Sequence, residues 1–270
     1  MSRFGLDRRQ FLRLPLALLL APAACLRPGP LRAETVVRRS AYDVGVGMLY
    51  NALSLDLAGT VSESVDREAG RYEFRAVGQG RRIANRVESR GGRLGGRWAP
   101  LESTAWFDVA GRESRTDLKY DYQRSTVEYH YRGETFFLRR RRVADDVLAI
   151  PPGLHVDDVF SAILNYSDGL WTPGADGVYR TMVARRRRPA SEGPDDVQPH
   201  YRAELVPFVM RVEADAATGK PTASFDLTRF SSWARESEPA RIQFGADRRP
   251  EAIVASLILG TSVDIRVKAP

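Results

Sequence analysis

The chain has 270 residues, of which 43% are hydrophobic, 28% charged and 9% aromatic, enough apolar material for a sizeable core in one large domain or two small ones. With 22 Gly and a single Cys, that composition excludes intrinsic disorder, a collagen-like fibre and a disulfide-stapled miniprotein. A formal net charge of +7 raises the question of a nucleic-acid partner, and the answer depends on where the charge lies.

The chain opens with MSRFGLDRRQFLR, followed by an apolar stretch from Leu14 to Leu26. That stretch is shorter than the roughly 20 apolar residues a bilayer span needs, and it has the proportions of a signal-peptide core. Arg8-Arg9 before Gln10, Phe11 and Leu12 reads as a twin-arginine export motif. An ordinary secretory signal with an incidental Arg pair leads to the same compartment. Cleavage is expected after Ala33, leaving one domain over residues 34–270. A rival is lipidation and anchoring at Cys25, although Pro22 stands where a lipobox prefers Leu. Residues 1–33 hold six arginines and one acid, so the remainder carries 35 basic and 33 acidic residues, a net of +2. The address expected is the periplasm, with the export translocase as a partner, no nucleic acid, and no transmembrane segment after cleavage. Cys25 is the only cysteine, so the cleaved chain has no thiolate for a disulfide, a zinc site, an iron–sulfur cluster or attached haem. No cofactor is expected.

Beyond the export segment, period-two alternation dominates, which marks half-buried antiparallel strands. Tyr42, Val44, Val46 and Met48 alternate with polar residues and glycines, and Leu53, Leu55 and Leu57 share one face. Tyr72, Phe74 and Ala76 follow the same rule. Leu118, Tyr120 and Tyr122, then Val127, Tyr129 and Tyr131, flank the short break Gln123-Arg124-Ser125 and predict a hairpin. Ala223, Phe225 and Leu227, and later Val263, Ile265 and Val267, alternate again. Gly91 to Gly96 (GGRLGG) reads as a turn, and residues 188–199, with three prolines, as a long surface loop.

Helical spacing stands out once, in HVDDVFSAILNYSDG, where Phe160, Ile163 and Leu164 share a face. Asp157 or Asp158 can cap its start and Gly169 its end. A helix of roughly 16 Å cannot cover the apolar face of so many strands, so the sheet must cover itself. The expected fold is mostly β, a single large curved antiparallel sheet, half-barrel or barrel-like, with one short helix as lid or plug.

Catalytic motifs are absent by inspection, and no catalytic or metal-binding residue is assigned. His155 with Asp157 and Asp158 has the donor types of a metal site, but capping already accounts for the acids. Two arginine runs, Arg139 to Arg142 (Arg139, Arg140, Arg141, Arg142) and Arg185 to Arg188, suit an anionic head group because the guanidinium fork matches its oxygens. They equally suit protection of a sheet edge. Tyr120, Tyr122, Tyr129 and Tyr131 would cluster on one face of the hairpin, with Phe107, Phe160 and Phe225 adding to the interior. That face is either a packed core or the lining of a cavity in which buried hydroxyls meet a ligand.

The order of these features resembles a known family. The strand Tyr42-Asp43-Val44-Gly45-Val46, then Trp98-Ala99-Pro100, the helix DDVFSAILNY, and Ile242-Gln243-Phe244 with Asp247-Arg248-Arg249-Pro250 before a hairpin at Gly260 are similar to the bacterial exported family called domain of unknown function 3108. Phe160-Ser161-Ala162 departs from the Leu-Ser-Ala type of sequence expected there. The resemblance supplies no catalytic residues. It implies a curved sheet similar to the lipoprotein-carrier (Lol-type) half-barrels, which hold acyl chains in their concavity. The function expected is therefore a periplasmic, non-enzymatic carrier of a lipid or other apolar envelope molecule. The tyrosine face and Phe160, Ile163 and Leu164 would meet the ligand, and Arg139 to Arg142 its head group. The alternatives are an envelope assembly protein with a solid core, and a hydrolase whose site only the fold assembles.

Overall fold

The computed structural model describes residues 35–268 except 49, 51–52, 136, 190–191, 194, 232–233, 236–237 and 259. Arg8, Arg9, Cys25 and the cleavage position Ala33 lie outside the described residues. No helix among the described residues is long and apolar enough to cross a membrane.

Eight strands come first: β1 (Val36–Met48), β2 (Leu53–Asp66), β3 (Arg71–Gly80), β4 (Ile83–Leu94), β5 (Arg97–Val109), β6 (Arg112–Asp121), β7 (Thr126–Glu134) and β8 (Arg141–Ala149). The helix α1 (Val159–Ser167) interrupts them. Six more follow: β9 (Val178–Arg186), β10 (Ala203–Ala214), β11 (Pro221–Phe225), β12 (Ala240–Phe244), β13 (Pro250–Leu257) and β14 (Thr261–Val267). All belong to one 14-stranded sheet in the order β8 through β1, then β14 through β9.

Each strand pairs antiparallel with its successor except across the helix, and β1 pairs with β14 from Tyr42↔Val267 to Gly47↔Ser262. That pairing removes the edges the two chain-terminal strands would otherwise expose. Beside the remaining seam, between β8 and β9, isolated parallel bridges join Ala144 of β8 to Tyr201 just before β10, and Val156 just before α1 to Met182 of β9. The sheet is thus nearly closed into a barrel. On one face of β9, Met182 and Ala184 pack with Leu205 against Leu118, Tyr120, Val127 and Leu148 of β6–β8. On its other face Tyr179 packs with Phe208, Met210 and Trp171. The β6–β8 layer therefore overlaps β9 and β10 instead of meeting them edge to edge.

The helix lies within this roll. Asp158 is its N-cap and forms a capping box with Ser161, and Gly169 (φ +68°) follows the C-cap Asp168. Leu164, 1% exposed, packs on Val65, Tyr72 and Trp98 from β2, β3 and β5. Tyr166 packs on Met210, Ala223 and Phe244 from β10, β11 and β12. Contacts with walls so far apart in strand order make α1 a plug.

Three details differ from the sequence reading. Gly91 and Gly92 do not turn the chain: they continue β4, and only Gly95-Gly96 form the reversal. A Cβ at Gly91 would stand 2.2 Å from the Ala99 carbonyl oxygen and 2.5 Å from the Tyr72 ring, so close packing explains that glycine. Phe107 is 42% exposed, because it lies toward the far end of β5, away from the helix. Within residues 188–199, read as a surface loop, Glu192 is only 4% exposed.

Candidate functional site

Phe160, Ile163 and Leu164 project from the plug. Phe160 stacks on Phe74 with ring centroids 3.7 Å apart, Leu164 is enclosed, and Ile163 is half-buried. Beneath them runs a polar network. The Asp157 side chain, fully buried, accepts from Arg97 Nη2 at 2.8 Å, Ser161 Oγ at 2.8 Å, Asn165 Nδ2 at 2.9 Å and Thr181 Oγ1 at 2.6 Å. His155 Nε2 lies 3.2 Å from the same carboxylate and 2.9 Å from the Trp98 carbonyl oxygen. Asp158 accepts from Ser89 and Ser161, and burial pushes its carboxyl above the ordinary carboxylate range. Arg97, Thr181, Ser89 and the Trp98 carbonyl are the wall partners in this network, and through them it fastens α1 in place.

The predicted tyrosine hairpin forms, with Tyr120 opposite Val127, Leu118 opposite Tyr129 and Thr116 opposite Tyr131. Its tyrosines divide into two groups. Tyr120 (4% exposed) and Tyr122 stack with centroids 6.2 Å apart and pack with Val156, Ile150 and Met182. Tyr129 (3% exposed) and Tyr131 pack instead with Ala144, Tyr201 and Ala203. Burial raises all four phenols above their usual range.

The two arginine runs converge beside the second group. Arg139 (φ +54°) turns the chain before β8, pairing with Glu134 at 3.1 Å and donating to the Gly111 carbonyl at 3.0 Å. Arg140 and Arg141 are exposed. Arg142 alone of its run turns inward, because alternation places it on the same side of β8 as Ala144. Arg186 of β9 does the same for the second run and grips Glu192 with both fork nitrogens, at 3.0 and 3.1 Å. Arg142 Nε stands 3.5 Å from Glu192 Oε1, and the Tyr201 hydroxyl donates to it at 2.8 Å. Arg188 donates to the Glu192 carbonyl at 3.4 Å and to the Thr228 carbonyl. The Arg186 guanidinium also lies 4.2 Å over the Tyr201 ring and 5.7 Å over that of Tyr131. The Glu192 side chain is fully buried, with those of Arg142 and Arg186 at 8% and 12% exposure. Burial lowers the Arg188 guanidinium's affinity for its proton, an effect Glu192 opposes. The result is an enclosed Glu192 carboxylate held by a fork, a second guanidinium and a phenol.

Neither Glu192 nor Tyr201 is apparent from sequence reasoning. The one available signal is that an arginine turned inward requires a buried acid partner. Two open concavities lie elsewhere, on the outside of the sheet. One, of about 460 Å³, is crossed by Arg75, Glu88, Arg90 and Glu102. The other, of about 430 Å³, mixes Phe225, Phe230, Pro207 and Val209 with Arg180 and Arg211.

Fold and site define a mostly β protein, one antiparallel sheet nearly closed into a barrel around what is, among the described residues, a single short helix. No family model matches the chain, so membership of domain of unknown function 3108 is not shown. No curated protein matches it either. Among solved structures, the crystal structure of a beta-barrel-like protein of domain of unknown function DUF1849 from Brucella abortus is similar, with a TM-score of 0.41 and 11% identity over 88% of this chain and 98% of that one.

Proposed function

We propose that the chain is a non-enzymatic binding protein of the periplasm that carries an apolar molecule bearing an anionic head group. The head group is held by Arg142, Arg186 and Tyr201. The observation that carries this reading is the bidentate Arg186 grip on a fully buried carboxylate, backed by Arg142 at 3.5 Å and Tyr201 at 2.8 Å. Such a donor set recognises carboxylate or phosphate oxygens by geometry as well as charge. Tyr129, Tyr131, Leu148 and Ala184 surround it with the aromatic and aliphatic surface an apolar body needs. Phe160, Ile163 and Leu164 serve the plug that shapes the interior. The periplasmic address rests on Arg8-Arg9, the apolar stretch after them and the expected cut at Ala33.

A second reading, an envelope assembly protein, draws support from the enclosed Trp98, Tyr72 and Leu164 cluster, which fills the barrel where a carrier of the Lol type keeps a concavity. Native mass spectrometry of protein purified from the periplasm, before and after organic extraction, separates the two. Calorimetric titration with dodecyl phosphate and dodecanol complements it. A carrier shows an extractable acidic adduct and binds the phosphate but not the alcohol. A bare mass with no binding of either moves the assignment to the assembly protein.

A further inference from the structure

We propose that Glu192 is a built-in occupant of the arginine site, and that a phosphate-type ligand binds by replacing its carboxylate. The inference rests on the anion-binding reading above and adds its regulation. Three guanidiniums face this segment, and Glu192 is the carboxylate that pairs with Arg142 and Arg186, while Arg142 also helps hold the Asp195 carboxyl below its usual range. The neighbouring acids are otherwise engaged. Asp196 accepts from the Gly193 amide at 2.7 Å, and Asp195 from the Phe137 and Leu138 amides at 3.0 and 2.7 Å. Arg185, next in its run, is held by Glu204 at 3.0 and 2.7 Å.

The same arginines also hold the main chain around Glu192. Arg142 donates to the Gly193 carbonyl at 3.1 Å and through Nε to the Asp196 carbonyl at 2.9 Å, and Arg188 reaches the Glu192 carbonyl. Fastening this loop and binding an external anion therefore draw on one set of donors, and the two compete. A carboxylate presents two oxygens and one charge. A phosphate monoester presents three terminal oxygens and close to two charges, which suits the Arg186 fork, Arg142 and Tyr201 together. A tethered competitor acts at an effective concentration in the millimolar range, so it weakens every free anion that needs the same donors.

The experiment compares wild type, Glu192→Gln and Arg186→Gln by calorimetric titration with inorganic phosphate, each first checked for native near-ultraviolet circular dichroism. Glu192→Gln keeps the size of the side chain and one acceptor oxygen while removing its charge and the second acceptor that the Arg186 fork uses. It should bind phosphate at least about tenfold more tightly than wild type, and Arg186→Gln should not bind. Equal or weaker binding by Glu192→Gln overturns the occupant role and leaves the arginine site standing as an anion site. No binding by wild type or Glu192→Gln overturns both. Hydrogen exchange in wild type supplies a test without substitution. The Gln198 amide donates to the Tyr201 hydroxyl at 3.0 Å, and its exchange should quicken as phosphate displaces the segment. Bound phosphate with unchanged Gln198 exchange overturns the proposal as well.

Discussion

Asn165 on the plug holds Trp98 on the barrel wall by both of that residue's backbone groups. The Trp98 amide donates to Asn165 Oδ1 at 2.7 Å, and Asn165 Nδ2 donates to the Trp98 carbonyl at 2.8 Å. Both residues are fully buried. β5 pairs with β4 at Trp98 but with β6 only from Glu102 onward, so the helix supplies the partner that β6 does not. Asn165→Leu keeps the volume and removes both bonds together with the one to Asp157. Each buried group left unmet costs about 1–3 kcal/mol, so the urea midpoint should fall by an amount equivalent to about 2–4 kcal/mol. An unchanged midpoint would mean that the plug is not fastened through Asn165.

Arg97 and Asp157 make a second fastening of the same plug. Asp157 is fully buried and Arg97 keeps a 20% exposed side chain, with its guanidinium 5.4 Å over the Trp171 ring. Asp157→Ala strands a largely desolvated guanidinium, the costly way to break such a pair, and should destabilise by about 3–5 kcal/mol. Arg97→Met leaves Asp157 with its bonds from Ser161, Asn165 and Thr181, and should cost clearly less. In a double-mutant cycle the combined loss should fall short of the sum, because the stranded charge is gone. Additivity would show that the two side chains act independently.

Tyr42 needs two glycines beside it. Along one row of the sheet it is followed by Gly59, Gly78 and Asn85, and its hydroxyl donates to Asn85 Oδ1 at 2.8 Å. A Cβ at Gly59 would come within 2.5 Å of the ring and of the Val77 carbonyl, and one at Gly78 within 2.6 Å of the hydroxyl. Gly78→Ala should therefore destabilise by about 1–3 kcal/mol through overpacking, despite alanine's better strand entropy. A Gly78→Ala, Tyr42→Phe double variant should recover part of the loss in thermal unfolding. No recovery would move the conflict to Leu57, which a Cβ at Gly78 also meets at 2.4 Å.

The strands were legible because alternation is a local signal: Tyr72, Phe74 and Ala76 fall on one side of β3 whatever the rest of the chain does. The helix was legible from its spacing and from Asp158, and the tyrosine hairpin from the break at residues 123–125. The pairings that close the sheet were not, since β1 meets β14 across almost the whole chain, and no local pattern encodes that distance. The arginine site fails for a related reason. Both runs are visible, but which arginine of each turns inward depends on strand phase, and Glu192 sits in a loop with no periodicity to place it. Asp157 and Asp158 read equally well in sequence as the helix cap; the fold gives that task to Asp158 and sends Asp157 into the wall.

The buried phenols set the behaviour at high pH. Desolvation raises Tyr72, Tyr120, Tyr122, Tyr129, Tyr131 and Tyr201 above the ordinary value, and for Tyr201 the hydrogen bond to Glu192 adds to it. In the unfolded chain each would release its proton near pH 10. Below that value both states are protonated and these groups contribute no pH dependence. Above it the unfolded state binds fewer protons than the folded one, so stability falls as pH rises, by up to about 1.4 kcal/mol per pH unit for each phenol that stays protonated in the fold. Several such groups acting together predict a steep alkaline unfolding transition. Phenolate absorbance should then appear in step with the loss of near-ultraviolet circular dichroism. Phenolate forming fully while the dichroism stays native would show these hydroxyls to be in contact with water and the two tyrosine groups to be open.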